Sequence, residues 1–390
     1  MSKVKVDSIE AVNASTPAIT LNTSDGTCTA NLSNRQGKNL VVNGACLIAQ
    51  RALSSTSSSY QTVDRFQMHY LGTDENPTQA QVDVASGTTP YTLGFRKAFS
   101  ITNGNQTSGA GAGDYIWIQY HIEAQDLANS GWNYTSNSSY VTLSFWIKSS
   151  VAQDFKGYLR SKDSTNYMYP FATGSLSANT WTKVTKTISG NSNLVINNDN
   201  GVGLQINILA YMGTNTTSNS VTENAWATYT SSGRIKDNTT TWYTTNDATL
   251  QITGLQLEVS DFATDFEHKS FAQELALCQR YYETSYPYQV GIGGNDSYQG
   301  MIAQSGSSNG SGSMIVSVSW NEKRTTPTVT AYNPVNGNSG TWYAHRSGST
   351  THASVTIDQI STRRCRLYFG VGANWEASNA EGHVVVNSEL

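Results

Sequence analysis

The chain has 390 residues, enough for two domains, and only 13% of them are charged, with a formal net charge of -4. Nothing in it concentrates positive charge as a nucleic-acid face requires, and no apolar run approaches the roughly 20 residues that span a bilayer. The 32 Gly, 21 Tyr and 9 Trp suit short strands joined by turns better than helices.

The opening "MSKVKVDSIEAVN" holds no apolar core of signal-peptide type. Cys28, Cys46, Cys278 and Cys365 stand far apart without paired spacing, so neither a metal knuckle nor a disulfide framework is indicated. These features point to synthesis in a cytosol, with cysteines that serve as core residues. Residues 1–38, with a turn signal at Ser24-Asp25-Gly26-Thr27, are too few and too polar to hold a core. They are expected to dock on the rest of the chain or on a partner.

From residue 39 the strand signals recur. "YIWIQYHIEA" (115–124) places Ile116, Ile118, Tyr120 and Ile122 on one face and Trp117, Gln119, His121 and Glu123 on the other. "VTLSFWIKSS" (141–150) and "GLQINILAYM" (203–212) repeat the alternation. In "ATLQITGLQLEV" (248–259) the parity changes across Thr253-Gly254, as a bulge at the glycine would produce. Period-two patterning with one apolar face predicts an all-β fold, with residues 39–266 forming a jelly-roll β-sandwich.

"TDFEHKSFAQELALCQRYYE" (264–283) is the one stretch that reads as a helix. Ser270 and Gln273 form a capping box, and Phe271, Leu275, Cys278 and Tyr282 recur as a single apolar stripe. Cys278 lies inside that stripe, so it is read as packing, and the helix as a linker over 267–283. Residues 284–390 carry a second series of alternating segments, at 314–320, 326–332, 364–371 and 383–390. They predict a smaller C-terminal β-sandwich domain. Its loops at 305–313 and 333–341 are rich in Gly, Ser and Asn, and Asn336-Gly337 signals a hairpin.

Chemistry is scarce. No pair of carboxylates is placed for glycan hydrolysis, and no nucleophile elbow, phosphate loop or H-E-x-x-H helix occurs; the reading is not an enzyme. No cofactor is indicated. A structural Ca²⁺ would need carbonyl and carboxylate oxygens, for which Asp64, Glu258 and Asp265 are nominal ligands that ordinary ion pairs explain equally well. Trp132 with Tyr134, Trp242 with Tyr243, and Trp342 with Tyr343 sit beside turn residues. Flat rings beside Asn and Thr can stack on sugar faces and bind hydroxyls, or they can cap a core. Trp342, Tyr343, Tyr332, Trp132 and Tyr134 are the candidate glycan-binding residues.

Two segments carry a family resemblance. "KNLVVNGACLIAQRA" followed by "YQTVDRF" resembles the opening, and "ITGLQLEVSDFATDFEHKSFAQELALCQRYYE" the close, of a domain found in bacteriophage tail fibres and other virion proteins, notably of marine cyanobacterial and related phages. Together they bracket residues 39–283; the C-terminal "KRTTPTVTAY" is similar to a strand motif that often follows. The resemblance implies a core similar to carbohydrate-binding modules, a virion address and, for many members, a homotrimer. It implies that Asn43-Gly44 supplies a tight turn after the first strand, and that Gln50-Arg51 and Asp64-Arg65 pair across a sheet edge, as fold-fixing residues.

The expected protein is thus a tail-fibre-type virion component, made in the host cytoplasm. Residues 1–38 attach it to other tail or collar proteins, and the distal domain contacts host-surface polysaccharide. A purely structural head decoration or a collar or connector protein is the alternative, and a capsular polysaccharide depolymerase the third reading.

Overall fold

The computed structural model describes residues 6–9, 19–24, 28–30, 37–295, 298–306, 313–346, 349–370 and 378–390. Residues 25–27 of the turn signal at 24–27, and most of the 305–313 loop, lie outside the described residues.

The apolar alternation resolves into two antiparallel sheets of six strands each among the described residues. The first runs Ala227–Thr228, Tyr167–Ser175, Asp154–Ser161, Val202–Met212, Tyr115–Glu123 and Phe66–Leu71. The second runs Thr182–Ser189, Tyr140–Ser149, Thr249–Val259, Lys97–Thr102, Thr78–Asp83 and Ser54–Ser55. The chain passes repeatedly from one sheet to the other, giving an all-β jelly-roll sandwich. Ile116, Ile118, Tyr120 and Ile122 of the first sheet meet Val141, Leu143, Phe145 and Ile147 of the second in one buried cluster. Each such side chain stabilises the fold by roughly 1.5–3 kcal/mol on burial, so this cluster holds the sheets together.

The expected bulge is present. The register of Thr249–Val259 against Tyr140–Ser149 shifts between Thr253 and Gln256, and Gly254 takes φ 65. The edge strand Thr182–Ser189 escaped the patterning because Lys186 stands in phase with the buried Val184 and Ile188. An inward charge on an edge strand breaks the apolar run and disfavours edge-to-edge pairing with another chain.

The helix occupies Phe271–Gln279, and its capping box is formed by Ser270 and Gln273. Its buried face differs from the expected stripe. Phe271 is exposed, Glu274 and Cys278 are buried, and Tyr282 belongs to a strand, Tyr282–Thr284. Glu274 goes inward because the backbone N–H of Asn43 donates to its carboxylate. A buried donor thereby gains a partner, which favours this helix orientation over the apolar one.

In the C-terminal region the long strand Ser378–Asn387 is the hub. Tyr282–Thr284 and Thr328–Tyr332 flank its second half, while Ile302–Gly306 and Thr341–Arg346 flank its first half. The sheet continues through Ser349–Asp358, Arg364–Gly370 and Ser313–Ser319. Its core gathers Met314, Val316, Val318, Trp342, Leu367, Val384 and Val386. Asn336-Gly337 turns the chain, with Gly337 at φ 71, but makes no two-stranded hairpin. The strands on either side both pair with Ser378–Asn387, and only Tyr332 and Ser339 bridge directly.

At the other end, Ser8–Ile9, Ile19–Leu21 and Cys28–Ala30 form a small antiparallel sheet. Where this segment enters the sandwich, Glu267 accepts from the backbone N–H groups of Gly37 at 2.6 Å and Asn39 at 2.8 Å.

Candidate functional site

Most of the candidate rings are closed off. Trp342 is fully buried, its indole N–H donates to the carbonyl of His383 at 3.2 Å, and a Cβ on Gly382 would come within 2.2 Å of the indole. It is a core residue with no face free for a ligand, which corrects the expectation. Trp132 is corrected likewise: it is buried, donates to the Ser139 carbonyl at 3.4 Å, and meets Tyr134 edge-on at 6.3 Å. Tyr134 is partly exposed but its hydroxyl donates to the Ile196 carbonyl, so this pair caps the sandwich end. Trp242 and Tyr243 are also buried. Tyr332, half-buried, lines an open hollow of about 430 Å³ together with Arg51, Tyr60 and Tyr282.

Tyr343 differs from its neighbour because alternation turns it to the other face of the strand. It is partly exposed and stands opposite His352 on one neighbouring strand and Glu381 on the other. The rings of His345 and His352 lie 5.5 and 5.8 Å from the tyrosine ring. Nε2 of His345 is 3.0 Å from a Glu381 oxygen, and Nδ1 of His352 is 3.0 Å from the Asn333 amide and 3.5 Å from that of Asn336. A flat ring is therefore ringed by imidazole, amide and carboxylate groups, which can stack on an apolar face and bind hydroxyls around it. His345 follows Tyr343 on the same strand, whereas His352 and Glu381 come from neighbouring strands and could not be placed beside it by spacing.

The fold-fixing residues meet, but not at a sheet edge. Asn43 takes φ 62 and its side chain donates to the carbonyls of Ile48 and Asp64 and accepts from the Ile48 N–H, each at 2.9 Å. Gly44 is required beside it because a Cβ would lie 2.1 Å from the Leu255 carbonyl oxygen. Residues 42–45 form a turn, and residues 38–41 before it form no strand. Gln50 donates from its backbone and its amide to Asp64, and Arg51 lies 3.6 Å from the same carboxylate. Arg65 instead reaches Glu389, which also takes Arg51 at 3.1 Å. All four of these sequence-predicted residues are buried. Burial pushes the Asp64 carboxyl up, against the opposing pull of Arg51. The guanidinium groups of Arg51 and Arg65 lie 3.6 and 3.5 Å from the ring centroids of Tyr282 and Tyr281. The cluster fixes the sandwich to the C-terminal strand system.

On the polar face of the first sheet, the groups around His121 satisfy one another. His121 contacts Gln119, Gln205 and the Leu390 carbonyl at 2.9–3.0 Å, and Gln119 donates to Asn207 at 2.8 Å. Burial drives the His121 imidazole down to about 3. Of the nominal calcium ligands, Asp64 is engaged as above, Glu258 accepts from Gln256 and Thr264, and Asp265 is exposed. Among the described residues, no group of three or more His, Cys, Asp or Glu side chains could hold a metal ion. The Cys278 thiol is fully buried, and desolvation raises its pKa well above the ordinary range, so a thiolate nucleophile is disfavoured there.

No family model matches this chain, and no curated protein does. Solved structures do. The enzymatically active domain of tailspike protein 4 of bacteriophage CBA120 is 12% identical over 57% of this chain and 21% of that one, with a TM-score of 0.31. The N-terminal cellulose-binding domain of a Cellulomonas fimi glucanase is 10% identical over 54% of this chain and 95% of its own, with a TM-score of 0.26. A family 11 carbohydrate-binding module of Clostridium thermocellum is 9% identical over 56% and 99%, with a TM-score of 0.24. This chain thus spans about a fifth of the tailspike's length. Scores this low carry no argument about function, which has to rest on the residues.

Proposed function

We propose that this protein is a bacteriophage virion appendage of tail-fibre type whose C-terminal domain binds host-surface glycan without cleaving it. The observation that carries the binding is the Tyr343 surface: a partly exposed ring with His345, His352, Asn336 and Glu381 around it. Glu381 is the carboxylate that the described contacts place there, whereas glycoside hydrolysis calls on two. The virion address is supported by the sequence resemblance over residues 39–283. A single shelf of this size binds weakly. Copies held together on a particle, as a trimer or a set of fibres, raise the overall affinity by roughly a hundredfold or more.

The test is adsorption. Deleting residues 284–390 is a poor choice, since Glu389 neutralises the buried Arg51 and Arg65 and its loss would unsettle the sandwich. Tyr343→Ala leaves that cluster alone. Particles carrying it are expected to assemble normally and to adsorb at least tenfold more slowly, matching a loss of roughly 1–2 kcal/mol per site. Unchanged adsorption would instead favour a purely structural decoration or connector.

A further inference from the structure

The outer face of the second sheet carries a cleft of about 300 Å³. Phe95, Trp146 and Phe266 supply its rings, and Ser144, Lys183 and His268 its polar groups. Gly254 shapes the floor: at φ 65 it lacks the Cβ that would come within 2.7 Å of Phe95 and 3.3 Å of Trp146. The bulge seen in the patterning thus clears space between two aromatic rings.

Pairing of the two strands at this edge sets two tryptophans and two lysines crosswise. Trp146 stands opposite Lys183, and the next outward-facing pair, one step beyond Ile147 opposite Thr182, brings Lys148 beside Trp181. The Lys148 ammonium lies 5.2 Å from the Trp181 ring centroid. Burial lowers the Lys148 pKa, as happens to a cation drawn from water without a counter-charge. Among the described residues, neither Lys148 nor Lys183 has an ion-pair partner within 4.0 Å, and the buried indole N–H of Trp181 has no acceptor. Asp265 also lines the cleft, and its carboxylate can accept from hydroxyls.

We infer that this cleft is a second saccharide site, selective for a carboxylated sugar residue such as a uronic acid. The C–H face of the pyranose stacks on Trp146, the carboxylate pairs with Lys183, whose strand position is opposite Trp146, and hydroxyls meet Asp265 and Ser144. A neutral sugar could use the rings but would leave Lys183 uncompensated, and a free anion could use Lys183 but not the rings. The inference is independent of the Tyr343 reading, because the two surfaces share no residue.

The experiment is calorimetric titration of the full chain with a tetramer of glucuronic acid and, separately, the matched glucose tetramer. Saturable binding of the acidic tetramer, roughly tenfold tighter than the neutral one, is expected from one charge-assisted contact, with affinity falling as salt is raised. Lys183→Gln, at an exposed position that should not disturb folding, is expected to abolish the preference. Trp146→Ala is expected to abolish the acid-preferring binding event. Equal affinity for the two tetramers, no binding of the acidic one, or a preference that survives Lys183→Gln would overturn the assignment.

Discussion

The carboxylate of Glu389 accepts from the guanidinium of Arg65 across 324 positions of sequence, and both side chains are buried. Arg51 approaches the second Glu389 oxygen at 3.1 Å. Glu389→Gln would leave two buried guanidinium groups with Asp64 as their remaining nearby carboxylate. A loss of about 3–5 kcal/mol is expected in urea unfolding. If the loss stayed below about 1 kcal/mol, the cluster would be behaving like solvated surface pairs.

His121 should impose acid sensitivity. Its folded-state pKa is lowered to about 3 from 6.5, so the unfolded chain takes up a proton there that the folded chain refuses. Stability is present above the unfolded value and is lost as pH falls from about 6.5 toward 3, at up to about 1.4 kcal/mol per pH unit. Replacing it by Gln, which can keep amide hydrogen bonds, should flatten this slope. Melting curves at about pH 7 and about pH 4 check it; equal slopes in both proteins would show that other groups carry the acid loss.

Glu123 titrates in the other sense to the buried Asp64. Burial opposes its ionisation, but Arg280 just after the helix donates to it through Nε and Nη2, each at 2.9 Å, and the net pKa is lowered. Stability from this pair is therefore present above the ordinary glutamate value and is lost as pH falls through the lowered folded-state value. Arg280→Gln is expected to cost about 3 kcal/mol near neutrality and clearly less below about pH 4. Denaturant titrations at both pH values separate this from a loss of packing, which would be equal at each.

Gly382→Ala probes the C-terminal core. The new methyl would sit 2.2 Å from the Trp342 indole, so ring or strand must move, at a cost of about 1–3 kcal/mol or more. Trp342→Phe should also lower stability while sparing ligand binding, since the indole faces inward. A selective loss of glycan binding at unchanged melting temperature would contradict this placement.

Much of the architecture was legible because strand patterning is local. Ile116, Ile118, Tyr120 and Ile122 declare one face by spacing alone, and the parity change at Gly254 announces the bulge. The capping box of Ser270 and Gln273 is equally local. The strand Asp154–Ser161 was not legible, because Gly157 and Ser161 take two of its inward positions and leave only Phe155 and Leu159 to mark an apolar face. The helix face was misjudged for a related reason: a buried glutamate whose partner is the Asn43 backbone, 231 positions away, cannot be foreseen from helical spacing. At the candidate sites Tyr343 and Trp342 could be set on opposite faces, but not which face was the core.

What the residues determined by themselves was the all-strand character, the division into a larger and a smaller β system, and the capping box of Ser270 and Gln273. Those follow from the conformational preferences of neighbours along the chain. Only the tertiary structure decided that Trp342 is core, that His352 and Glu381 come to stand beside Tyr343, that Glu389 closes the Arg51–Arg65 cluster, and that Trp146 and Lys183 share a cleft. Burial and charge pairing depend on which strands lie side by side, and that is set by packing free energy summed over the whole chain rather than by any short window of it.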